Sequence, residues 1–146
     1  MHELHNNLGY AVGLAPVVVS DNTASSTAIV DMAGLEAVEF VILTGTLADA
    51  DATFAVTMTH GDAVDSESNP TTITDSAAAH ADCLLGTLAA AGFTFAADGA
   101  VRTVGYAPNR GPGKRWVRLT ITPSNNTGSA PLAVAVVKLP LRRPPA

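Results

Sequence analysis

The sequence predicts an all-β protein, an antiparallel β-sandwich or jelly roll of about eight strands. Three observations predict this class. Several segments alternate apolar and polar side chains with the two-residue period of a strand. Turn-forming clusters of glycine, proline, asparagine and serine recur about every ten residues. Valine and threonine, which favour pleated surfaces, are abundant among the 146 residues, whereas aromatic residues make up only 5%.

The chain is long enough for one domain with its own core, which we expect to be flanked by two extended segments. Residues 1–15 lack clear periodicity and are expected to form an extended N-terminal arm that is ordered only where it packs on something. The sandwich domain is expected over residues 16–139, beginning with a short strand at Pro16 to Ser20 and another at Thr27 to Met32. Residues 140–146 contain three prolines. Because proline lacks a backbone donor, they are expected to form an extended tail.

Two segments alternate most clearly. In Glu36 to Gly45, Phe40 lies on one predicted face and Val41 on the other. In Ala52 to His60, large apolar side chains alternate with threonine, as in a half-buried antiparallel strand whose hydroxyls point outward.

The second half of the chain predicts four further strands and little helix. Phe93 to Ala96 and Ala100 to Tyr106 are typical of a hairpin around an Asp-Gly turn. Lys114 to Thr122 alternates again, and Leu132 to Lys138 is a nearly continuous apolar run, as expected of a central strand buried on both faces. The alanine-rich segment Asp75 to Ala91 is expected to form at most a short helical turn, capped by one of its first two residues.

The charges separate along the chain. All thirteen acidic residues lie within residues 1–98 and all eight basic residues within 102–143, for a net charge of −5. Either the two halves pair and neutralise each other within the fold, or they face different neighbours in an assembly. A nucleic-acid partner is not expected, because the acidic part of the chain would repel a polyanion.

The sequence contains no motif of a nucleotide-binding P-loop, a hydrolase nucleophile elbow or a zinc site. We therefore expect no enzyme, no catalytic residue, no metal and no cofactor. His2 and His5 lie in the predicted arm, where a weak metal contact is the most they suggest. His60 and His80 are interpreted as polar surface groups, and Cys83 as a small buried apolar residue.

Acidic side chains in two loops are the candidates for a hard cation. They are Asp49 and Asp51 in the first loop, and Asp62, Asp65 and Glu67 in the second. Neither group matches the calcium-loop consensus, so solvated acidic loops are the preferred interpretation.

No membrane or export segment is expected. No run of 18 apolar residues occurs, and the first ten residues lack the basic start and apolar block of a signal peptide. A single cysteine cannot form an internal disulfide.

Several segments share the strand-and-turn motifs of a known family. They are residues 32–40 (MAGLEAVEF), 85–87 (LGT), 104–106 (VGY), 114–128 (KRWVRLTITPSNNTG) and 139–144 (LPLRRP). In these motifs the chain resembles a family of small β-sandwich structural proteins of tailed bacteriophages and prophages, over about residues 27 to 144. It departs from them in a longer N-terminal arm and in a Gly-Pro-rich loop at residues 111–113.

The resemblance implies a virion component made in the bacterial host cytoplasm. It implies a head decoration (cement) protein that binds the major capsid protein on the outer surface of the head and associates with itself, for example as a trimer. One alternative is a low-copy head–tail connector, vertex or tail protein. Another is a carbohydrate-binding module, for which Trp116, Tyr106 and Tyr10 are few and scattered.

Extended segments can reach over neighbouring subunits and become ordered on binding, and many weak repeated contacts add up through multivalency. The expected contact residues with the capsid therefore lie in the arm, the basic loop and the tail. They are His2, Leu4, His5, Leu8, Tyr10, Arg110, Lys114, Arg115, Arg142 and Arg143.

Overall fold

A computed structural model describes residues 4–94 and 99–142 of the chain. In chain order its helices and strands are α1 (Leu4–Asn7), β1 (Gly9–Val19), β2 (Ser25–Ser26), β3 (Val30–Asp31), β4 (Leu35–Thr44), β5 (Thr53–Gly61), β6 (Ala77–Ala78), β7 (Leu84–Leu85), α2 (Leu88–Ala91), β8 (Phe93–Thr94), β9 (Val101–Tyr106), β10 (Trp116–Ser124) and β11 (Ala130–Pro140). Two 3₁₀ turns span Ala81–Cys83 and Pro108–Arg110. No helix in the described residues is long and apolar enough to span a membrane.

The strands form two antiparallel sheets. The first sheet has the order β1-β11-β4-β9-β7, and the second has the order β2-β10-β5-β6, with β3 also paired to β10 and β8 to β5. This architecture confirms the predicted all-β antiparallel sandwich. The strands beyond the expected eight or so are two-residue segments.

The core lies between the two sheets and is built from the inward-facing side chains of both. The first sheet contributes Val38, Phe40, Ile42, Val104, Tyr106, Val134 and Val136, and the second contributes Phe54, Val56, Met58, Val117, Leu119 and Ile121. Each of these is at most 5% exposed. Alternation in β4, β5 and β10 therefore places every second residue in the core, as predicted.

The predicted arm over residues 1–15 is wrong for residues 9–15. They belong to β1, which pairs along its length with β11, so the sandwich begins well before Pro16. Two register shifts interrupt this pairing, and a Cβ added at Gly13 would lie 2.8 Å from the side chain of Val136. Because the shifts and the proline break the alternation, no strand period is visible in the sequence here.

The C-terminal boundary lies close to the predicted one. β11 extends to Pro140, the first residue of the predicted tail, and Leu141 and Arg142 follow without regular structure. Residues 143–146 of that tail lie outside the described residues.

The predicted hairpin around the Asp-Gly turn is wrong. Phe93–Thr94 pairs with β5 in the second sheet, whereas Val101–Tyr106 pairs with β4 and β7 in the first. Part of the first predicted strand and Asp98 lie outside the described residues, but Gly99 has the positive φ, 76°, of a turn glycine. An Asp-Gly pair marks a turn, and the same chemistry suits a connection that crosses from one sheet to the other.

The alanine-rich segment Asp75 to Ala91 contains only short helical turns, as predicted. The cap of α2 differs from the expected one, because Thr87 Oγ1 accepts a hydrogen bond from the backbone N–H of Ala90 at 3.1 Å. Thr87, and not Asp75 or Ser76, is therefore the N-cap residue of α2.

Candidate assembly surfaces

The predicted contact residues come together at one end of the sandwich. At this end, called the α1 end, β1 begins and β9 and β11 finish, with Gly9, Lys138, Val38 and Tyr106 in register across the first sheet. The residues placed here by α1, the start of β1, the loop after β9 and the segment after β11 are Leu4, His5, Leu8, Tyr10, Arg110, Lys114, Arg115 and Arg142. His2 and Arg143 lie outside the described residues.

Two of these cations are already paired within the chain. Lys114 Nζ lies 2.7 Å from Asp62 Oδ2, and Arg115 lies 3.0 Å from Asp31 and 3.3 Å from Glu67. The hydrogen bond from Lys114 lowers the pKa of the Asp62 carboxyl. Both ends of each pair are partly exposed, so each pair contributes little to stability. Here the acidic and basic halves of the chain neutralise each other within the fold.

Arg110 and Arg142 differ from Lys114 and Arg115. Both are exposed, and neither forms an ion pair with any described residue. Among the predicted contact residues that the structure describes, they are therefore the lysine or arginine side chains without an ion pair.

The two sheets have outer faces of opposite character. The outward positions of the second sheet are mostly hydroxyl-bearing and form what we call the hydroxyl face, which consists of Thr53, Thr57, Thr59, Thr120 and Thr122. Arg118 on the same face donates to the backbone carbonyls of Thr27 and Thr71, at 3.1 and 2.9 Å. This is the hydroxyl-outward pattern predicted for β5, and it is typical of a solvated sheet face.

The outer face of the first sheet is apolar. What we call the apolar face consists of Tyr10, Val12, Ala37, Val41, Leu43, Val101, Ala133, Ala135, Val137 and Leu139. Tyr10 is 62% exposed, Val12 68%, Leu43 42% and Val101 56%. The second sheet thus presents a hydroxyl-rich outer face, and the first presents an apolar outer face of whose ten residues four are exposed and six are half-buried.

The register shows how these side chains are arranged. Three rows cross the face, namely Tyr10–Val137–Glu39–Gly105–Leu85, then Val12–Ala135–Val41–Thr103, then Ala133–Leu43–Val101. Ala135 on β11 thus lies between Val12 and Val41, and Ala133 lies beside Leu43. The result is a shallow trough at these two alanines, with a ridge formed by Val41 and Leu43 of β4 on one side.

Glu39 is the one carboxylate in these rows. A Cβ on Gly105 would collide with its carboxylate, so Glu39 lies down over that glycine. Burial raises the pKa of Glu39, and a hydrogen bond with Thr103 opposes the rise. Its neighbours across the sheet, Val137, Gly105 and Leu85, do not titrate. The face is therefore poor in charge.

The apolar face lies on an extended sheet surface. The strands β1, β11 and β4 run for 10 or 11 residues and β9 for 6. At about 3.3 Å per residue and about 4.8 Å between strands, the four strands span on the order of 600 Å², an area that includes Glu39, Thr103 and Gly105. The largest apolar patch of a typical soluble monomer measures about 300–600 Å², so the face lies at the upper end of that range.

The prediction that Leu132 to Lys138 is buried on both faces is wrong for the described chain. Val134 and Val136 are 1% exposed in the core, whereas Ala133, Ala135 and Val137 on the other face are only half-buried. Within residues 4–94 and 99–142, Leu8 lies near Val137 and Leu139, and no further sheet or helix layer covers that side of β11. The apolar run in β11 indicates a strand with apolar side chains on both faces. One of these faces packs in the core, and the other belongs to the apolar face.

A polar cluster is buried at the α1 end. The Tyr106 hydroxyl accepts a hydrogen bond from Lys114 N–H at 2.7 Å and lies 2.8 Å from His60 Nδ1. His60 is only 6% exposed, so its interpretation as a surface group is wrong. Burial raises the pKa of Tyr106 to about 12 and raises the pKa of the Cys83 thiol, which is fully buried as predicted. These groups hold the fold together and are closed to solvent.

His60 makes the stability of the fold depend on pH. Burial lowers the pKa of His60, and the neighbouring Lys114 lowers it further. The unfolded chain therefore binds more protons than the folded chain below the ordinary histidine value of about 6.5. The free energy of unfolding is expected to fall as the pH drops from 7.5 towards 5.

Chemical denaturation at several pH values, compared between wild type and His60→Gln, measures this effect. The other histidines are the same in both proteins, so their contributions cancel in the comparison. A flatter pH profile in the variant supports the assignment. Equal slopes in this pH range would contradict it.

The acidic loops organise their own backbone. Asp65 accepts hydrogen bonds from the backbone N–H groups of Ser66, Thr71 and Thr72 and from the Thr71 hydroxyl, and these lower its pKa. Asp49 accepts from the N–H and the hydroxyl of Thr127. Among the described residues no cluster of three or more acidic, histidine or cysteine side chains is arranged to hold a metal ion.

The aromatic residues are placed for packing. Trp116 is 2% exposed, with the guanidinium of Arg115 over its ring, 4.6 Å from the centroid. Tyr106 is fully buried, and Tyr10 is the one exposed aromatic side chain in the part of the chain that the structure describes. Stacking on a sugar ring needs exposed aromatic faces, so this arrangement does not favour a carbohydrate-binding module.

The described chain therefore presents two surfaces that are suited to assembly, the α1 end and the apolar face. The α1 end combines apolar and cationic side chains, and the apolar face consists mainly of apolar ones. The buried polar groups next to these surfaces are structural. No family model and no curated protein matches this chain.

Proposed function

We propose that the chain is a structural subunit of a bacteriophage particle, a head decoration protein that binds the outer surface of the capsid and stabilises contacts between major capsid protein subunits. The observation that supports it best is the α1 end. Residues as distant in sequence as Leu4 and Arg142 come together there, and they are the residues expected to contact the capsid. The resemblance to phage structural proteins supplies the identity of the partner.

The chemistry of the α1 end suits a docking contact. Leu4 and Tyr10 are 72% and 62% exposed, and Arg110 and Arg142 add cations that no described carboxylate neutralises. Exposed apolar side chains next to unpaired cations favour an acidic or mixed protein surface. Lys114 and Arg115 already have carboxylate partners within the chain, so their charges are less available for a contact.

Copy number tests this proposal. Quantitative mass spectrometry of purified virions from the phage or prophage that encodes the chain is expected to give a simple ratio to the major capsid protein. A few copies per particle would move the chain to a vertex, connector or tail, which is the second candidate function. Absence from the particle would contradict both.

Reversing the two unmatched charges is expected to weaken binding to heads. Arg110→Glu/Arg142→Glu should lower the amount of protein that co-sediments with heads lacking it by roughly tenfold or more, because the loss of a favourable charge contact is joined by repulsion. The matched control is Arg102→Glu, at the opposite end of β9. Equal loss in the control and the double variant would show that the α1 end is not the contact.

A further inference from the structure

We propose that the apolar face is the contact between two copies of this chain, which pack face to face about a two-fold axis that runs parallel to the strands between β11 and β4. The inference deepens the proposed function, on which it rests, because it names the partner of one surface of the same structural subunit. Apart from Tyr10, which belongs to both surfaces, the α1 end stays available for the capsid.

The shape of the apolar face is complementary to that of a second copy of the same face. The alanine trough on β11 lies beside the ridge on β4, and Ala135 is directly opposite Val41 in the register, as Ala133 is opposite Leu43. A two-fold axis between these strands places the ridge of each copy over the trough of the other. Val41 of one copy then meets Ala135 of its mate, and large side chains fill the space above small ones.

Sheet-on-sheet packing is also the arrangement the chain uses for its own core. Inner faces of stacked sheets interdigitate at a spacing of about 10 Å through the apolar side chains that alternate along each strand. The apolar face has the same alternation along β4 and β11. The second outer face, made of threonines, has neither the apolar content nor the trough.

The scarcity of charge on the apolar face favours an apolar partner over one recognised by charge. Each copy carries a net charge of −5, so two copies repel each other through most of their surfaces. The rows of the apolar face contain one carboxylate, Glu39, which lies down over Gly105 and bonds to Thr103. This face is therefore where two acidic copies can approach with the least repulsion.

The area is sufficient for a dimer. A face on the order of 600 Å² on each copy gives on the order of 1,200 Å² in total, which is where stable specific interfaces begin. A face-to-face contact of one surface with itself closes at two copies, whereas a trimer needs a head-to-tail contact between two different surfaces.

Sedimentation velocity over a concentration series tests the dimer. Wild type is expected to sediment as a dimer that dissociates on dilution. Val41→Lys places a cation in the centre of the contact and should weaken the dimer by a factor of roughly 100 or more. The matched control is Thr57→Lys on the hydroxyl face, which should leave the dimer unchanged. Circular dichroism of both variants checks that each is folded.

A thiol pair locates the axis. Chains carrying Val41→Cys, mixed with chains carrying Ala135→Cys, are expected to form a disulfide-linked dimer far faster than either chain alone. The wild-type thiol of Cys83 is fully buried, so wild type serves as the chain without an accessible cysteine. Equal cross-linking in the mixture and in the separate chains would overturn the proposed axis.

Other outcomes decide between the two proposals. A wild-type monomer, a trimer, or a Val41→Lys variant that dimerises like wild type would overturn the dimer through this face. If such a protein still co-sediments with heads, the decoration role stands without the dimer. A dimer that is absent from virions would leave the face assigned and remove the decoration role.

Discussion

Phe40→Ala is expected to lower the free energy of unfolding by about 3–5 kcal/mol, the usual cost of emptying a large core site. Phe40 is fully buried between the sheets, and removing its ring leaves a cavity that the neighbouring β-branched side chains cannot fill. Val41→Ala, one residue along the same strand, is expected to cost less than about 1 kcal/mol, because its side chain points to the half-buried outer face.

The two substitutions are best compared by urea unfolding at low protein concentration, where a dimer contributes nothing. At high concentration Val41→Ala should show an additional loss that Phe40→Ala does not, since only Val41 lies in the proposed contact. Similar costs for both variants in the dilute protein would contradict the assignment of the two faces.

Tyr106→Phe is expected to lower the free energy of unfolding by about 1–3 kcal/mol, although it removes a single oxygen atom. That oxygen accepts from the Lys114 N–H and lies within hydrogen-bonding distance of His60 Nδ1. Both groups would stay buried without this partner, and a buried polar group without a partner carries its full desolvation cost. Tyr10→Phe, at an exposed position, is the matched control and should be near neutral.

A double-mutant cycle isolates the contact with His60. In a His60→Phe background the substitution Tyr106→Phe is expected to cost less than in wild type, because the imidazole is no longer left unpaired. Strictly additive costs would show that the two side chains do not interact.

The sequence predicts the long regular strands well. The alternation over Glu36 to Gly45 and over Lys114 to Thr122 marks β4 and β10 within one or two residues. Such strands have one face in the core, and burial of every second side chain leaves a clear period. The fully buried thiol of Cys83 was also predicted correctly.

Strands shaped by tertiary contacts were harder to predict. β1 contains Gly13 and Pro16 and two register shifts, so its period is lost even though it pairs along β11. The Asp98-Gly99 turn signals a change of direction but does not say which sheet the next strand joins. Single-chain periodicity reports which residues are apolar, whereas the partner of a strand depends on the whole fold.

The capsid contact stays a prediction. Eight of the ten residues expected to form it are described and lie at the α1 end, where Lys114 and Arg115 have carboxylate partners that local sequence does not reveal. The apolar face was missed, although its signal was present in β11. A strand that is apolar on both sides is expected to be buried on both sides. The structure shows that the described residues fully bury only the side that faces the core.

The central claim is that the apolar face is buried in the working assembly, and thiol labelling tests it most directly. Ala135→Cys places one accessible thiol at the centre of the face, while native Cys83 is closed to reagent. Maleimide is expected to modify it quickly in the dilute isolated chain and slowly in intact virions, with Thr57→Cys on the hydroxyl face reacting quickly in both. Equally fast labelling of Ala135→Cys in the virion and in the dilute chain would contradict the claim.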